Sequence, residues 1–299
     1  MDSIENLRSV KEHEITGAVA ISKGHGGLPR LVITTPVSTA EIYLHGAHVT
    51  AFQKKGEPPL LWMSAESLFA PGKAIRGGVP ICFPWFGPRA GAPAHGYARI
   101  TDWNLVATSA FPDGRVTVRL RLPDKVGEAP YTGSVEYIVT VGETLTLELQ
   151  VNNHSTESVT FEEILHTYFT VGDIAGVSVK GLHGVHYLDK VAGGALTNEE
   201  PDVIRIIGET DRVYLETAHT VEIADPRLRR VIRVEKSGSA STVVWNPWVS
   251  KSKAMADFGD EEYHHMVCVE SGNVGPAQTT LAPGIANILK VTLSSRLTV

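Results

Sequence analysis

The chain is poor in cysteine, with two in 299 residues, Cys82 and Cys268. They stand far apart in sequence and in apolar surroundings. That excludes a disulfide framework and a clustered zinc-ligand spacing, and reads as two buried thiols in a reducing compartment. Long apolar runs are also missing, and none approaches the length that spans a bilayer. The opening stretch MDSIENLRSVKEHEITG carries Asp2, Glu5, Glu12 and Glu14 and no apolar segment. It does not read as a secretory signal or an arginine-rich transit peptide, so a cytoplasmic protein with no membrane partner is expected. An excess of positive charge is lacking as well. The formal net charge is −6, so nothing global draws nucleic acid or an anionic membrane. An anionic ligand must be held by local cations.

Helical periodicity is scarce. ESLFA near Leu68 and KSKAMADF near Met255 have room for a turn or two of helix each, and no βαβ rhythm appears. Short runs of period two dominate instead. RVTVRLRL puts Val116, Val118, Leu120 and Leu122 on one face, and TLTLELQV does the same with Leu145, Leu147, Leu149 and Val151. RLVITT, AEIYL, SVEYIVTV, HTVEIA, STVVWN, MVCVE and ILKVTL follow the pattern, separated by Gly, Pro, Asn and Asp. No fixed-period repeat and no linker interrupts them. The expected fold is all-β: one large antiparallel β-sandwich with sheets broader than those of an immunoglobulin module. It forms a single domain over residues 1–299, with 1–28 as a less ordered N-terminal extension. A monomer is expected, because one large domain closes its own core.

Four stretches carry candidate chemistry. In IRGGVPICFPWFGP, Gly77 and Gly78 let the backbone bend and approach closely, while Pro80 and Pro84 rule out an uninterrupted central strand. Arg76 at its entrance is either a structural arginine paired to a carboxylate or an anion and hydroxyl clamp. In AHGYARITDW, His95, Tyr97 and Arg99 alternate, and a strand there turns all three to one side. That face suits a sugar, or else plain solvent. In EEILHTYFTVGDI, strand register places Ile164, His166 and Tyr168 on one face, with His166 as a core histidine or a general acid or base. In HHMVCVESGNV, Glu270 ends the apolar strand Met266 to Val269 and is a structural cap or a catalytic base. The pairs His264–His265 and His183–His186 lack a spaced third ligand, so no metal site is assigned to them.

Taken in order, RGGVPICFPWFG, HGYAR with its trailing DW, EEILHTYF, TDRVY, WNPW and CVESGNV resemble the aldose 1-epimerase, or galactose mutarotase-like, superfamily. WNPWVSKSKAMADFGDEEY and VCVESGNV are especially similar to its glucose-6-phosphate 1-epimerase branch, which includes plant proteins called apospory-associated protein C-like. The resemblance covers nearly the whole chain and implies a large β-sandwich. It implies His166 and Glu270 as the catalytic pair, Arg76 and Arg99 as substrate contacts associated with the phosphate, Asp211 on a sugar hydroxyl, and His95 as a second active-site histidine. One departure stands out: the branch often carries Gln just before HG, and this chain has Ala94. The loop from Gly87 to His95 is also short.

The implied chemistry is anomer exchange of a glucose 6-phosphate-type sugar. Ring opening removes a proton from the C1 hydroxyl and delivers one to the ring oxygen. Ionised Glu270 and protonated His166, on opposite sides of the centre, are expected to do this together. The expected partner is a small-molecule sugar phosphate, and no metal or redox cofactor is needed. Two alternatives keep much of the same site: an aldose 1-epimerase for unphosphorylated sugars, and a non-catalytic carbohydrate-binding protein.

Overall fold

A computed structural model describes residues 10–126 and 133–298. Every alternating run becomes a strand. β1 (Val19–Lys23), β2 (Pro29–Thr34), β3 (Ser38–Tyr43) and β4 (His48–Lys54) form an antiparallel meander. β1 pairs along the whole of β2 and buries Val19 and Ile21. The stretch expected to be a less ordered extension therefore belongs to the fold where it is described; residues 1–9 lie outside the described residues.

The chain continues with β5 (Ile81–Cys82), β6 (Asn104–Ala110), β7 (Val116–Arg121), β8 (Gly133–Val141) and β9 (Leu145–Asn153). Three short strands follow, β10 (Val159–Phe161), β11 (Glu163–Leu165) and β12 (Tyr168–Thr170). Then come β13 (Ser178–Lys180), β14 (His186–Asp189), β15 (Ala195–Asn198), β16 (Thr210–Leu215), β17 (Val221–Asp225) and β18 (Arg230–Ser237). The last are β19 (Ser241–Asn246), β20 (Met266–Asn273), β21 (Thr279–Leu281) and β22 (Ala286–Leu297).

Two eight-stranded antiparallel sheets dominate. One runs β13-β17-β18-β22-β9-β8-β7-β6, and the other β15-β14-β16-β19-β20-β11-β5 with β12 also beside β20. The apolar sides of both contribute to one core, which holds Leu147, Leu149 and Val291 of the first and Val267 and Val269 of the second. Helix is confined to short pieces. Trp248–Ala254 is helical, covering the start of the expected KSKAMADF turn, whereas ESLFA makes turns and extended chain. Among the described residues no helix is long and apolar enough to cross a membrane.

Strand alternation gives the second sheet two different faces. Val267 and Val269 of β20, Val244 of β19, Tyr214 of β16 and Phe169 of β12 join the main core. Their neighbours Met266, Cys268, Val243, Trp245, Val213 and Tyr168 join a separate cluster on the opposite side. Glu270 and Asp211 share the parity of that second set, and so does His166. The chemistry predicted from sequence thus falls on one face of one sheet.

Candidate active site

His166 lies in the break between β11 and β12. On one side of the break Leu165 pairs with Ser271, and on the other Tyr168 pairs with Cys268. The register is the same on both sides, so His166 falls directly opposite Glu270. Opposed side chains on one face are near neighbours, and His166 Nε2 stands 3.2 Å from Glu270 Oε1. The two residues, distant in sequence, meet through an ordinary cross-strand pairing. They sit side by side rather than on opposite sides of a bound centre, which corrects the geometry expected above.

The RGG segment braces this arrangement from the other edge. The Tyr168 amide donates to the Gly78 carbonyl at 2.9 Å and the His166 amide to the Pro80 carbonyl at 3.0 Å. The Gly78 amide donates to Trp62 at 2.7 Å. Gly77 and Gly78 have φ of 108° and 59°, and a Cβ on Gly78 would stand 2.3 Å from the Val49 carbonyl oxygen. Both the conformation and the close approach require glycine.

Arg76 is placed as the first of the two readings left open by the sequence, paired to a carboxylate. Its Nε and Nη2 donate to the two carboxylate oxygens of Asp257 at 3.2 Å each, and Nη1 donates to the Tyr168 hydroxyl at 3.0 Å. It is therefore a structural arginine whose charge is compensated. A guanidinium has five N–H donors, so two remain for a ligand, and the side chain is 21% exposed. The Tyr168 ring stacks on His166, with centroids 4.8 Å apart and planes 10° from parallel. Arg76 thus fixes the tyrosine that holds the histidine ring.

HGYAR does not form the expected strand. His95 and Gly96 make a turn, with φ of 63° and 76°, and Ala98–Ile100 is a single 3₁₀ turn. The alternation therefore fails, and the three side chains part company. His95 comes to 5.9 Å from His166, ring centre to ring centre. Tyr97 packs on Trp85. Arg99 turns back, donating from Nη2 to the Ala94 carbonyl at 2.8 Å. A positive φ at a non-glycine residue such as His95 is costly and is often found at functional sites. The short Gly87–His95 loop holds it in place: the His95 amide donates to the Gly87 carbonyl at 2.8 Å, and the Gly87 amide to His95 Nδ1 at 3.3 Å.

Asp211 on β16 pairs in register with Trp245, which pairs with Cys268. It lies on the same face as Glu270, is 22% exposed and has Lys251 Nζ at 3.7 Å. All six residues expected at the site are thus on or beside this face. Sequence reading missed Asp257, Lys190 and Lys251. Asp257 lay within the quoted ADFGDEEY motif, but nothing in one sequence signals that it pairs with Arg76.

The electrostatics revise the expected protonation. Burial holds His166 well below the ordinary histidine range, and the fields of His95, Arg99 and Arg76 push the same way. Burial also holds Glu270 well above the usual carboxylate range, helped by Asp211 and opposed by Arg99 and Lys190. Both shifts favour the uncharged form of each group over the imidazolium–carboxylate form. Neutral His166 with protonated Glu270 and imidazolium with carboxylate carry the same single proton and are tautomers of one coupled unit. Burial, followed by the arginine and lysine fields, pushes His95 down to about 3, so it enters as a neutral imidazole.

A family model described as aldose 1-epimerase matches residues 29–288. The chain belongs to the aldose 1-epimerase family. A relative from Cenchrus ciliaris is 36% identical over 259 residues, 82% of this chain and 78% of the relative. One from Escherichia coli strain K12 is 38% identical over 256 residues, 84% of this chain and 85% of the relative. Both provisionally bear the name glucose-6-phosphate 1-epimerase. A solved structure from Salmonella typhimurium, provisionally titled a mutarotase, superposes with a TM-score of 0.87 at 32% identity, covering 95% of this chain and 96% of that one. The expected β-sandwich is the fold of this family, and the chain is an isomerase of the epimerase type.

In this epimerase the His166–Glu270 pair has a third neighbour. His166 Nε2 or Nδ1, the Cys268 sulfur and a Glu270 oxygen lie within 4.8 Å of one another, a set able to ligate a soft divalent cation. A ligand role needs thiolate, and here burial and Glu270 push the Cys268 thiol well up. The chemistry of the resting set is that of a proton-exchanging pair beside a neutral thiol. His166 Nδ1 and Glu270 Oε2 are buried and lack hydrogen-bond partners. Orphaned polar atoms of this kind are expensive and are found where a ligand completes the set.

Proposed function

We propose that this epimerase interconverts the α and β anomers of hexose 6-phosphates by opening and closing the sugar ring. The observation that carries the reading is the buried His166–Glu270 pair, 3.2 Å apart; its proposed working form holds one proton. The C1 hydroxyl and the ring oxygen are attached to the same carbon. Two adjacent groups, one with a proton and one without, can therefore face both oxygens at once. One group takes the hydroxyl proton as the other gives its proton to the ring oxygen. The ring opens, the aldehyde turns about C1–C2, and closure on the other face exchanges the roles. The resting tautomer has Glu270 as acid and His166 as base. The family resemblance implies the opposite assignment for the opening step, with Glu270 as base on the C1 hydroxyl and His166 as acid on the ring oxygen.

His95, neutral and next to His166, and Asp211 at the end of the same face are suited to the sugar hydroxyls. Arg76 and Arg99 each keep N–H donors beyond those given to Asp257, Tyr168 and the Ala94 carbonyl, and guanidinium donors match phosphate geometry. The names of the relatives point to the same substrate. We further infer one domain acting as a monomer in the cytoplasm, in keeping with the core shared by its sheets.

The test is anomer exchange of glucose 6-phosphate and of glucose followed by NMR, for the wild type and His166→Asn. Fast exchange of the phosphate ester, slower exchange of glucose and loss in the variant are expected. Equal rates for the two sugars would assign an aldose epimerase without phosphate preference. No acceleration of either, with sugar still bound, would leave a carbohydrate-binding protein.

A further inference from the structure

Four cations stand around the site, and they are not equivalent. Arg76 is tied to Asp257. Lys251 lies 3.0 Å from Glu209 and 3.7 Å from Asp211. Arg99 bonds a neutral carbonyl, and its Nε is buried without a partner. Among the described residues the Lys190 ammonium has no carboxylate within ion-pair distance; it stands over the Phe86 ring, 5.8 Å from its centre. Arg99 and Lys190 are thus the two of these four cations that form no direct ion pair among the described residues.

Both converge on one corner. Phe86 packs edge-on against His95 at 4.9 Å, and Arg99 folds back to the residue before His95. Lys190 opens the β14–β15 hairpin, where its amide donates to the Asp211 carbonyl at 2.8 Å. The Asp189 carboxylate accepts from the Val191 and Ala192 amides, which fixes the turn that carries it. The lysine stem is thus rooted beside a substrate-binding residue, and its head lies over an aromatic face at the rim.

We propose that Lys190, acting with Arg99, is the residue that makes the site specific for a sugar bearing a phosphate dianion. These two cations match two negative charges. A fixed guanidinium and a mobile ammonium let the ester be gripped from two sides while its reducing end reaches His166 and Glu270. Arg76 still has N–H groups to offer, but its charge is spent on Asp257. This inference rests on the function proposed above and adds the residue that selects the phosphorylated substrate.

The experiment compares the wild type, Lys190→Met, which keeps the stem, and Lys190→Arg, which keeps the charge. Exchange kinetics are measured on glucose 6-phosphate and on glucose, and binding of inorganic phosphate is measured by calorimetry. Lys190→Met is expected to raise KM for glucose 6-phosphate about tenfold, the size of one charge-assisted hydrogen bond. Its effect on glucose should be much smaller, its phosphate binding weaker, and Lys190→Arg should recover most of the loss. A loss of the same factor on both sugars, or phosphate binding equal to wild type, would overturn the assignment. If the wild type accelerates neither sugar, the proposed function falls, while the phosphate titrations still decide whether Lys190 holds the anion.

Discussion

Glu163 and Glu270 are both fully buried carboxylates, and they sit on adjacent strands of one sheet, β11 and β20. Glu163 is 0% exposed and Glu270 1%. Burial lifts both above the carboxylate range. The difference is what each one faces. Glu163 shares the parity of Leu165 and looks toward the core side, where Oε1 accepts from Asn273 Nδ2 at 3.0 Å and from Asn287 Nδ2. Glu270 looks the other way, toward His166, with no amide among the described residues to hold it, while each of the two carboxylates leaves its Oε2 unpartnered. The same residue type at the same depth is held by two amides in one case and faces a histidine in the other, where the proposed function makes it an exchangeable proton site. The sheet makes the distinction by strand parity alone.

Mutation should separate the two most sharply in rate. His166→Asn and Glu270→Gln are each expected to slow anomer exchange by roughly 10²–10⁴-fold, the ordinary contribution of one general acid or base. Glu163→Gln should leave the rate near wild type. A comparable loss from Glu163→Gln would mean that the two carboxylates act as one unit and the comparison is wrong. The pH profile sharpens it further. The working pair holds one proton. Because His166 lies well below 6.5, a second proton is added only below the usual histidine range. Because Glu270 lies well above 4.5, the last proton leaves well above the usual carboxylate range. The acid limb of kcat/KM, which reports the free enzyme, should therefore fall below pH 6.5. A profile that loses rate at pH 6.5 and above as it is acidified would point to an ordinary, solvated histidine instead.

Much of this site could be read from the chain, and the failures have physical causes. The strands were legible because period-two burial leaves a direct pattern, as in Val116 to Leu122. His166 and Glu270 were legible as residues out of place in apolar company. Their meeting was not, since it depends on the shared register of β11 and β12 against β20. HGYAR misled because alternation is also compatible with a turn, and the left-handed backbone at His95 leaves no mark in sequence. The protonation of the pair escaped for the same reason that Asp257 did: both follow from which groups lie nearby once the sheet is formed.

A smaller effect tests whether the RGG brace, rather than the pair itself, sets the position of His166. Gly78→Ala places a Cβ 2.3 Å from the Val49 oxygen at a φ of 59°. Strain and clash together should cost about 3 kcal/mol, or roughly 6–12 °C in Tm for a chain of this size. Exchange should slow as well, because the Gly78 and Pro80 carbonyls shift with it. Gly17→Ala, at a φ of 77° but with nothing within 4 Å, carries the backbone strain alone and should lose about 1–2 kcal/mol with its rate intact. Equal losses of rate in the two would show that the brace does not position the histidine.

The smallest effect returns to Glu163, now in stability. Its folded-state acidity is pushed up to about 8 by burial, against 4.5 for an ordinary glutamate, with the Asn273 and Asn287 amides opposing the shift. A carboxyl raised on folding contributes its stability below the unfolded value and loses it as pH rises toward the folded one. Between pH 4.5 and 8 the unfolded chain releases this proton and the folded chain keeps it, so the wild type weakens through that window. Glu163→Gln imitates the protonated acid and has no proton to lose. Its Tm should match that of the wild type near pH 4.5 and rise above it toward pH 8, by about 2–4 °C for each kcal/mol recovered. A difference in Tm that stays constant with pH would mean that Glu163 is ionised in the fold, held as carboxylate by its two amides. The contrast with Glu270 would then be one of charge as well as of facing.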